Sequence, residues 1–200
     1  MTMKKWEIED NLRSEGLKLI CGIDEAGRGP LAGPVFAAAV ILPDDADIPG
    51  LDDSKKLTEK KRDELFDVII EKALYYGIAS ASESEIDEVN ILNAVYMAMN
   101  RAADKLGIEP EICLIDGNRN KGITRSSMCV VKGDSKCACI AAASILAKVS
   151  RDRFMLEMAE KYPEYTFEKH KGYGTKLHYE RIREHGACEI HRKTFLKKMH

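Results

Sequence analysis

The sequence predicts an α/β domain, a mixed five-stranded sheet flanked by helices with a helical C-terminal extension. Three observations predict it. Short strand-like runs alternate with longer runs of helical period in the order β, β, α, β, α, α, β, β, α. Several of the strand runs are almost continuously apolar, as strands covered on both faces are. Finally, 200 residues with no internal repeat and no low-complexity linker suit one domain, which at that size buries about 70% of the surface of its unfolded chain.

Each element has its own signal. Residues 1–16 read as a packed-on start anchored by Trp6 and Ile8. Residues 17–23 are the first strand and 35–42 the second, ended by the turn Pro43-Asp44-Asp45. After the loop 49–56, Thr58 is placed to cap a helix reaching about Leu74, with Leu65, Phe66, Ile69 and Ala73 on one face. Residues 75–82 are the third strand. A short helix near 84–89 and a longer one over 91–106 follow, the longer burying Leu92, Val95, Met99 and Ala102 and stopping at Gly107.

Residues 112–115 and 128–131 are the last two strands. A long helix from Ser135 to about Tyr162 is apolar all round in its first half, CACIAAASILA, which predicts a central position. Pro163 closes it. HKGYGT (170–175) is a glycine-punctuated loop, 176–185 a helix, and the tail adds one more turn.

The bulk numbers exclude several classes. No apolar run approaches the roughly 20 residues that cross a bilayer, and the mixed-charge start is neither a signal nor a transit peptide. The expectation is a cytoplasmic, monomeric protein. The six cysteines include no CxxC pair and lie mostly in apolar runs, so they read as reduced small hydrophobes. Net charge is −2, but residues 169–200 carry nine Lys/Arg against three Asp/Glu and all five histidines. That basic end fits a phosphate-binding footprint and a solvated helix face equally well.

Chemistry concentrates where strands end. Asp24 and Glu25 follow the first strand, Asp116 the fourth and Asp134 the fifth. Adjacent parallel strands bring their C-terminal ends to one rim, where open α/β sheets put their sites. Carboxylates gathered there must protonate, pair with Lys or Arg, or hold cations. An all-oxygen set favours Mg²⁺ or Mn²⁺ over zinc. Asp134 has a second reading, as a cap of the helix it precedes. The segment Gly27-Arg28-Gly29 beside the first acids lacks the spacing of a dinucleotide or P-loop motif. Its glycines instead free backbone for close approach by another molecule.

GIDEAGRGPLAGPV, LDDSKKL, LIDGN, VKGDSK with its AAASILAK helix, HKGYGT and IHRKTF, in that order over roughly residues 17–196, resemble type 2 ribonuclease H (ribonuclease HII). The resemblance implies a ribonuclease H-like fold over one catalytic domain. It implies an endoribonuclease that cuts the RNA strand of RNA–DNA hybrids and single ribonucleotides in duplex DNA by two-metal-ion hydrolysis. Carried over by motif, the metal-binding catalytic acids fall on Asp24, Glu25, Asp116 and Asp134, the glycine-arginine-glycine element on Gly27, Arg28 and Gly29, and the junction-sensing tyrosine on Tyr173. Lys55 and Lys136, within matched motifs, are candidate phosphate contacts, and the tail lysines remain open. Neighbours on a strand point to opposite faces, so Glu25 can take part by side chain, backbone carbonyl or water. Without the resemblance, Tyr173 is an ordinary half-buried loop tyrosine. His170 and His191 read as hydrogen-bonded loop residues rather than general bases, because a two-metal site needs no imidazole. Gly186-Ala187-Cys188 departs from the family's frequent Gly-Pro before IHRKTF, which touches packing of the tail.

Overall fold

The structure, a computed structural model, describes residues 6–197; the end of the basic tail, Lys198 with His200, lies outside them. The sheet runs β3-β2-β1-β4-β5. Its strands are β1 (Ile20–Ala26), β2 (Val35–Ile41), β3 (Tyr75–Ala81), β4 (Ile112–Asp116) and β5 (Ser127–Val130). β2 pairs antiparallel with β1 and β3, while β1, β4 and β5 are mutually parallel. The mixed five-stranded sheet is as expected, and its parallel half brings three strand ends to one rim.

Helices cover both faces. The period-2 alternation of the strands sorts their side chains. Cys21, Ile23, Ala37, Ala39 and Ile41 pack with α3 (Glu83–Asp104), whereas Ala38 and Val40 pack with α2 (Glu59–Lys72) and α4 (Ala138–Lys161). Thr58 caps α2 as expected, its hydroxyl accepting from the Lys61 amide. The break expected near residue 90 is present too. Asn90 sits at φ 69°, and its side chain accepts from the Leu92 and Asn93 amides, so α3 is two segments joined at a kink. Leu92, expected on the buried face, is only half-buried because it borders a cleft.

α4 is the central helix, with almost every residue from Cys139 to Ala147 buried. Its backbone comes so close to β1 that a Cβ at Gly22 would stand 2.2 Å from the carbonyl carbon of Cys139. Two expectations are corrected here. α4 begins at Ala138 rather than Ser135, and Asp134 belongs to a separate one-turn 3₁₀ segment, Gly133–Ser135. Its amides are capped instead from α1 (Glu7–Ser14), where the Glu9 carboxylate, 1% exposed, accepts from Ala138 N at 2.7 Å and Cys139 N at 3.0 Å. A carboxylate at a helix N-terminus meets both the free donors and the positive end of the dipole. Glu9→Ala is expected to cost about 2–3 kcal/mol by leaving those amides unpaired, and Glu9→Gln, with one acceptor oxygen, clearly less. A urea midpoint unmoved in Glu9→Ala would refute the cap.

Beyond α4 the chain makes a short helix α5 (Phe167–His170), a turn, α6 (Lys176–His185) and a last turn α7 (Lys193–Leu196). These pack Leu31, Ala32, Tyr165, Phe167 and Ile190 into a small satellite core beside the loop that follows β1. The six cysteines are free thiols, most of them buried.

Candidate active site

β1 is longer at its end than the sequence suggests, so Asp24 and Glu25 lie within the strand rather than after it. Alternation then separates them. Asp24 falls on the α4 face, where Ser144 hydrogen-bonds it, and is 5% exposed. Glu25 falls on the α3 side and meets Arg28 at 3.1 Å. The parallel register pairs Ile23 with Ile115, so Asp24 and Asp116 stand one step further along neighbouring strands. Adjacent strands run about 4.8 Å apart, and Asp24 and Asp116 share the α4 face.

One cleft of about 290 Å³ is lined by Asp24, Glu25, Gly27, Arg28, Gly29, Lys55, Asp116, Ser144, Lys148 and Tyr173, among others. It continues into a second hollow of about 340 Å³, walled by Glu25, Asp116, Asn118, Arg119 and α3. Most sequence-predicted residues are thus brought together. Lys136 and Asp134 are not among the lining residues, but Asp134 borders the group, with Lys55 Nζ 3.4 Å from its Oδ2 and Asp116 close enough to act on its charge. Lys148, unforeseen, lines the cleft and holds Asp152 at 2.6 Å. Its only signal was its place in the AAASILAK helix.

The electrostatics are those of crowded carboxylates. Burial, then the charges of Glu25 and Asp116, push Asp24 well above the usual carboxylate range. Burial also raises Glu25, against the pull of Arg28, and raises Asp134 with help from Asp116 and Asp53. Partial burial opposes the charge of Lys55, yet Asp134, Asp24 and Asp53 outweigh it and the pKa of Lys55 rises. Each acid has parked an oxygen on a local donor. Asp24 Oδ1 accepts from Glu25 N at 2.7 Å, Asp116 Oδ1 from Gly133 N at 2.7 Å, Asp134 from Lys55 and Glu25 from Arg28. As the side chains stand, no three metal-ligating groups among the described residues converge on one point. The donor set is nonetheless all hard oxygen, which fits Mg²⁺ or Mn²⁺.

The loop after β1 is held from behind by two arginines that sequence reasoning missed. Arg192, fully buried, donates to the carbonyls of Gly27 (2.6 Å), Arg28 (3.0 Å) and Gly33 (2.7 and 2.9 Å). Arg151, equally buried, donates to Ala32, Pro34 and Lys171. Burial first, and the neighbouring Arg151 charge second, pull the Arg192 pKa down to about 9. Arg192 was part of the basic tail, so one of its charges serves the fold rather than a phosphate. Gly27, at φ 100°, lets the Arg151 stem pass where a Cβ would stand 2.2 Å from Nε. In a trans peptide the N–H points opposite the preceding C=O. With the Gly27 and Arg28 carbonyls turned inward, the Arg28 and Gly29 amides face the other way, and a Cβ at Gly29 would meet open space.

Opposite that loop stands Tyr173, 41% exposed, with the Arg151 guanidinium 5.5 Å from its ring centre. His170 and His191 are buried and hydrogen-bonded, away from the acids.

The sequence matches the ribonuclease HII family model over residues 21–200. It is 54% identical over 192 residues to ribonuclease HII of Caldicellulosiruptor bescii, covering 96% of this chain and 93% of that one. It is 56% identical over 191 residues to ribonuclease HII of Endomicrobium trichonymphae, covering 95% and 91%. The crystal structure of ribonuclease H2 from Pyrococcus horikoshii superposes with a TM-score of 0.71 at 29% identity, over 88% of this chain and 92% of that one.

Proposed function

The chain belongs to the ribonuclease HII family, and from that premise we propose that it cuts single ribonucleotides embedded in duplex DNA by two-metal-ion hydrolysis. The enzyme is a type 2 ribonuclease H, a metal-dependent endoribonuclease acting on RNA–DNA hybrids. The observation that carries the finer reading is the juxtaposition of Asp24 and Asp116 on one sheet face, in a cleft walled by Gly27, Arg28, Gly29 and Tyr173.

Asp24, Asp116 and Asp134 would hold the cations, with Glu25 taking part by side chain, backbone carbonyl or water. Bound there, Mg²⁺ or Mn²⁺ supplies a water of lowered pKa and stabilises the leaving 3′-oxygen. The chain's own residues do the rest. Lys55 and Lys148, whose positive charges line the cleft, are placed to meet backbone phosphate. The outward Arg28 and Gly29 amides donate to a ribose 2′-hydroxyl, which DNA lacks. Tyr173 stacks on the sugar that follows, with its guanidinium neighbour keeping the ring in place.

The test is a DNA duplex carrying one ribonucleotide, incubated with Mg²⁺ or with EDTA and mapped for the cut. Cleavage beside the ribonucleotide only with metal supports the reading. Equal cleavage of an all-DNA junction would instead indicate a nuclease blind to the 2′-hydroxyl. Tyr173→Ala is expected to lower cleavage at the embedded ribonucleotide by about tenfold or more, the loss of a stacking contact of about 1–3 kcal/mol, with little change in melting temperature. Parallel losses of stability and activity would return Tyr173 to a packing role.

A further inference from the structure

Tyr173 ends a hydrogen-bonded file of side chains that begins in the C-terminal tail. The direction of the file follows from its fixed ends. His178 Nδ1 lies 2.9 Å from the Tyr173 carbonyl oxygen, which only accepts, so Nδ1 carries the proton. His178 Nε2 is then an acceptor, and His191 Nε2, 3.1 Å away, is its donor. His191 Nδ1 in turn accepts from the Cys188 amide at 2.9 Å and the Cys188 thiol at 3.1 Å. Each ring uses both nitrogens, one as donor and one as acceptor. Only neutral imidazoles satisfy this arrangement, and burial holds both His178 and His191 down to about 4. His178 is fully buried, stacked on His170 at 4.3 Å between centroids and met edge-on by Phe167.

We propose that His178, oriented by His191, is a positioning residue for Tyr173, holding the loop in the register that aims the tyrosine into the cleft. The preceding peptide is anchored separately, the Gly172 carbonyl accepting from the Leu31 amide at 2.8 Å. The Tyr173 amide donates to the His170 carbonyl, and the Tyr173 carbonyl has one further donor, the Thr175 amide at 2.8 Å. Losing His178 therefore leaves the turn formed but takes away one of the two donors that hold the Tyr173 carbonyl. The proposal rests on Tyr173 touching the substrate, as argued above.

The experiment measures kcat and KM on a duplex with one ribonucleotide, together with melting temperature, for His178→Leu, His178→Asn, Tyr173→Ala and the double variant His178→Leu/Tyr173→Ala. The asparagine amide nitrogen stands close to where Nδ1–H stood, so it keeps the bond to the carbonyl. His178→Leu is expected to lose about tenfold in cleavage, the scale of one positioning hydrogen bond. His178→Asn is expected to recover most of that loss. The double variant is expected to be no worse than Tyr173→Ala, because the histidine acts through the tyrosine. A merely structural histidine would lose stability in both single variants and multiply with Tyr173→Ala, and that result would overturn the proposal. So would full activity in His178→Leu while Tyr173→Ala is impaired. Full activity in Tyr173→Ala would instead overturn the reading of Tyr173 on which the proposal stands.

Discussion

In Asp24→Asn, hydrolysis of an RNA–DNA hybrid at saturating Mg²⁺ is expected to fall by about 10³-fold or more, while the melting temperature in EDTA holds or rises. The two effects have one cause. Asp24 is buried beside Glu25 and Asp116, and its pKa is pushed well up. A carboxyl raised in the folded state favours folding below its unfolded pKa and loses that contribution as pH rises through its folded value. At neutral pH, where the unfolded carboxyl is ionised, the buried group is thus a cost to the fold, and asparagine removes it. The same substitution removes the oxygen charge proposed to hold a cation. Added Mg²⁺ is expected to raise the melting temperature of the native enzyme and not of the variant, since only a ligand bound to the folded state stabilises it. Asp116→Asn is expected to lose activity likewise. Full cleavage by either variant at saturating Mg²⁺ would sink the site.

Arg192→Met is expected to be the most damaging change outside the acids, costing about 3 kcal/mol of stability and about 10²-fold in kcat/KM. The methionine fills much of the volume but leaves the carbonyls of Gly27, Arg28 and Gly33 without their donor in a dry interior. Unpaired groups of that kind cost about 1–3 kcal/mol each, partly offset here by no longer burying a charge. Released carbonyls let the peptides turn, and the Arg28 and Gly29 amides lose their outward aim. Arg192→Lys is expected to fall between, because one ammonium cannot span sites that a planar fork reaches together. Urea midpoints and the ratio of kcat/KM on an embedded ribonucleotide to that on an all-RNA strand read the two effects. Native stability with a native ratio in Arg192→Met would show that the clamp does not set the loop.

What was legible in the sequence was local or periodic. Thr58 announced α2, the expected pair of helices over 84–89 and 91–106 matched the two segments of α3, and the apolar stretch 137–147 announced a central helix. The acids were legible because three motif segments each ended a strand, although the extra length of β1 was not, since its last residues are polar. What was hidden depends on contacts between distant segments. Nothing around Glu9 signals a helix that begins 129 residues later. Nothing in a basic tail says that Arg192 is swallowed whole by a loop 165 residues earlier, since pattern separates charge from apolar residues but not a solvated arginine from a buried one. The alternative reading of Asp134 as a helix cap failed for a related reason. Caps are recognised by adjacency, and α4 takes its cap from another part of the chain.

The match to the family model begins at residue 21, yet the helix on which the sheet rests is plugged by a carboxylate twelve positions upstream. A version trimmed to residue 21 would keep every proposed catalytic group and still start life with a frayed hub. The stretch that carries the proposed chemistry and the stretch that folds well are not the same length of chain.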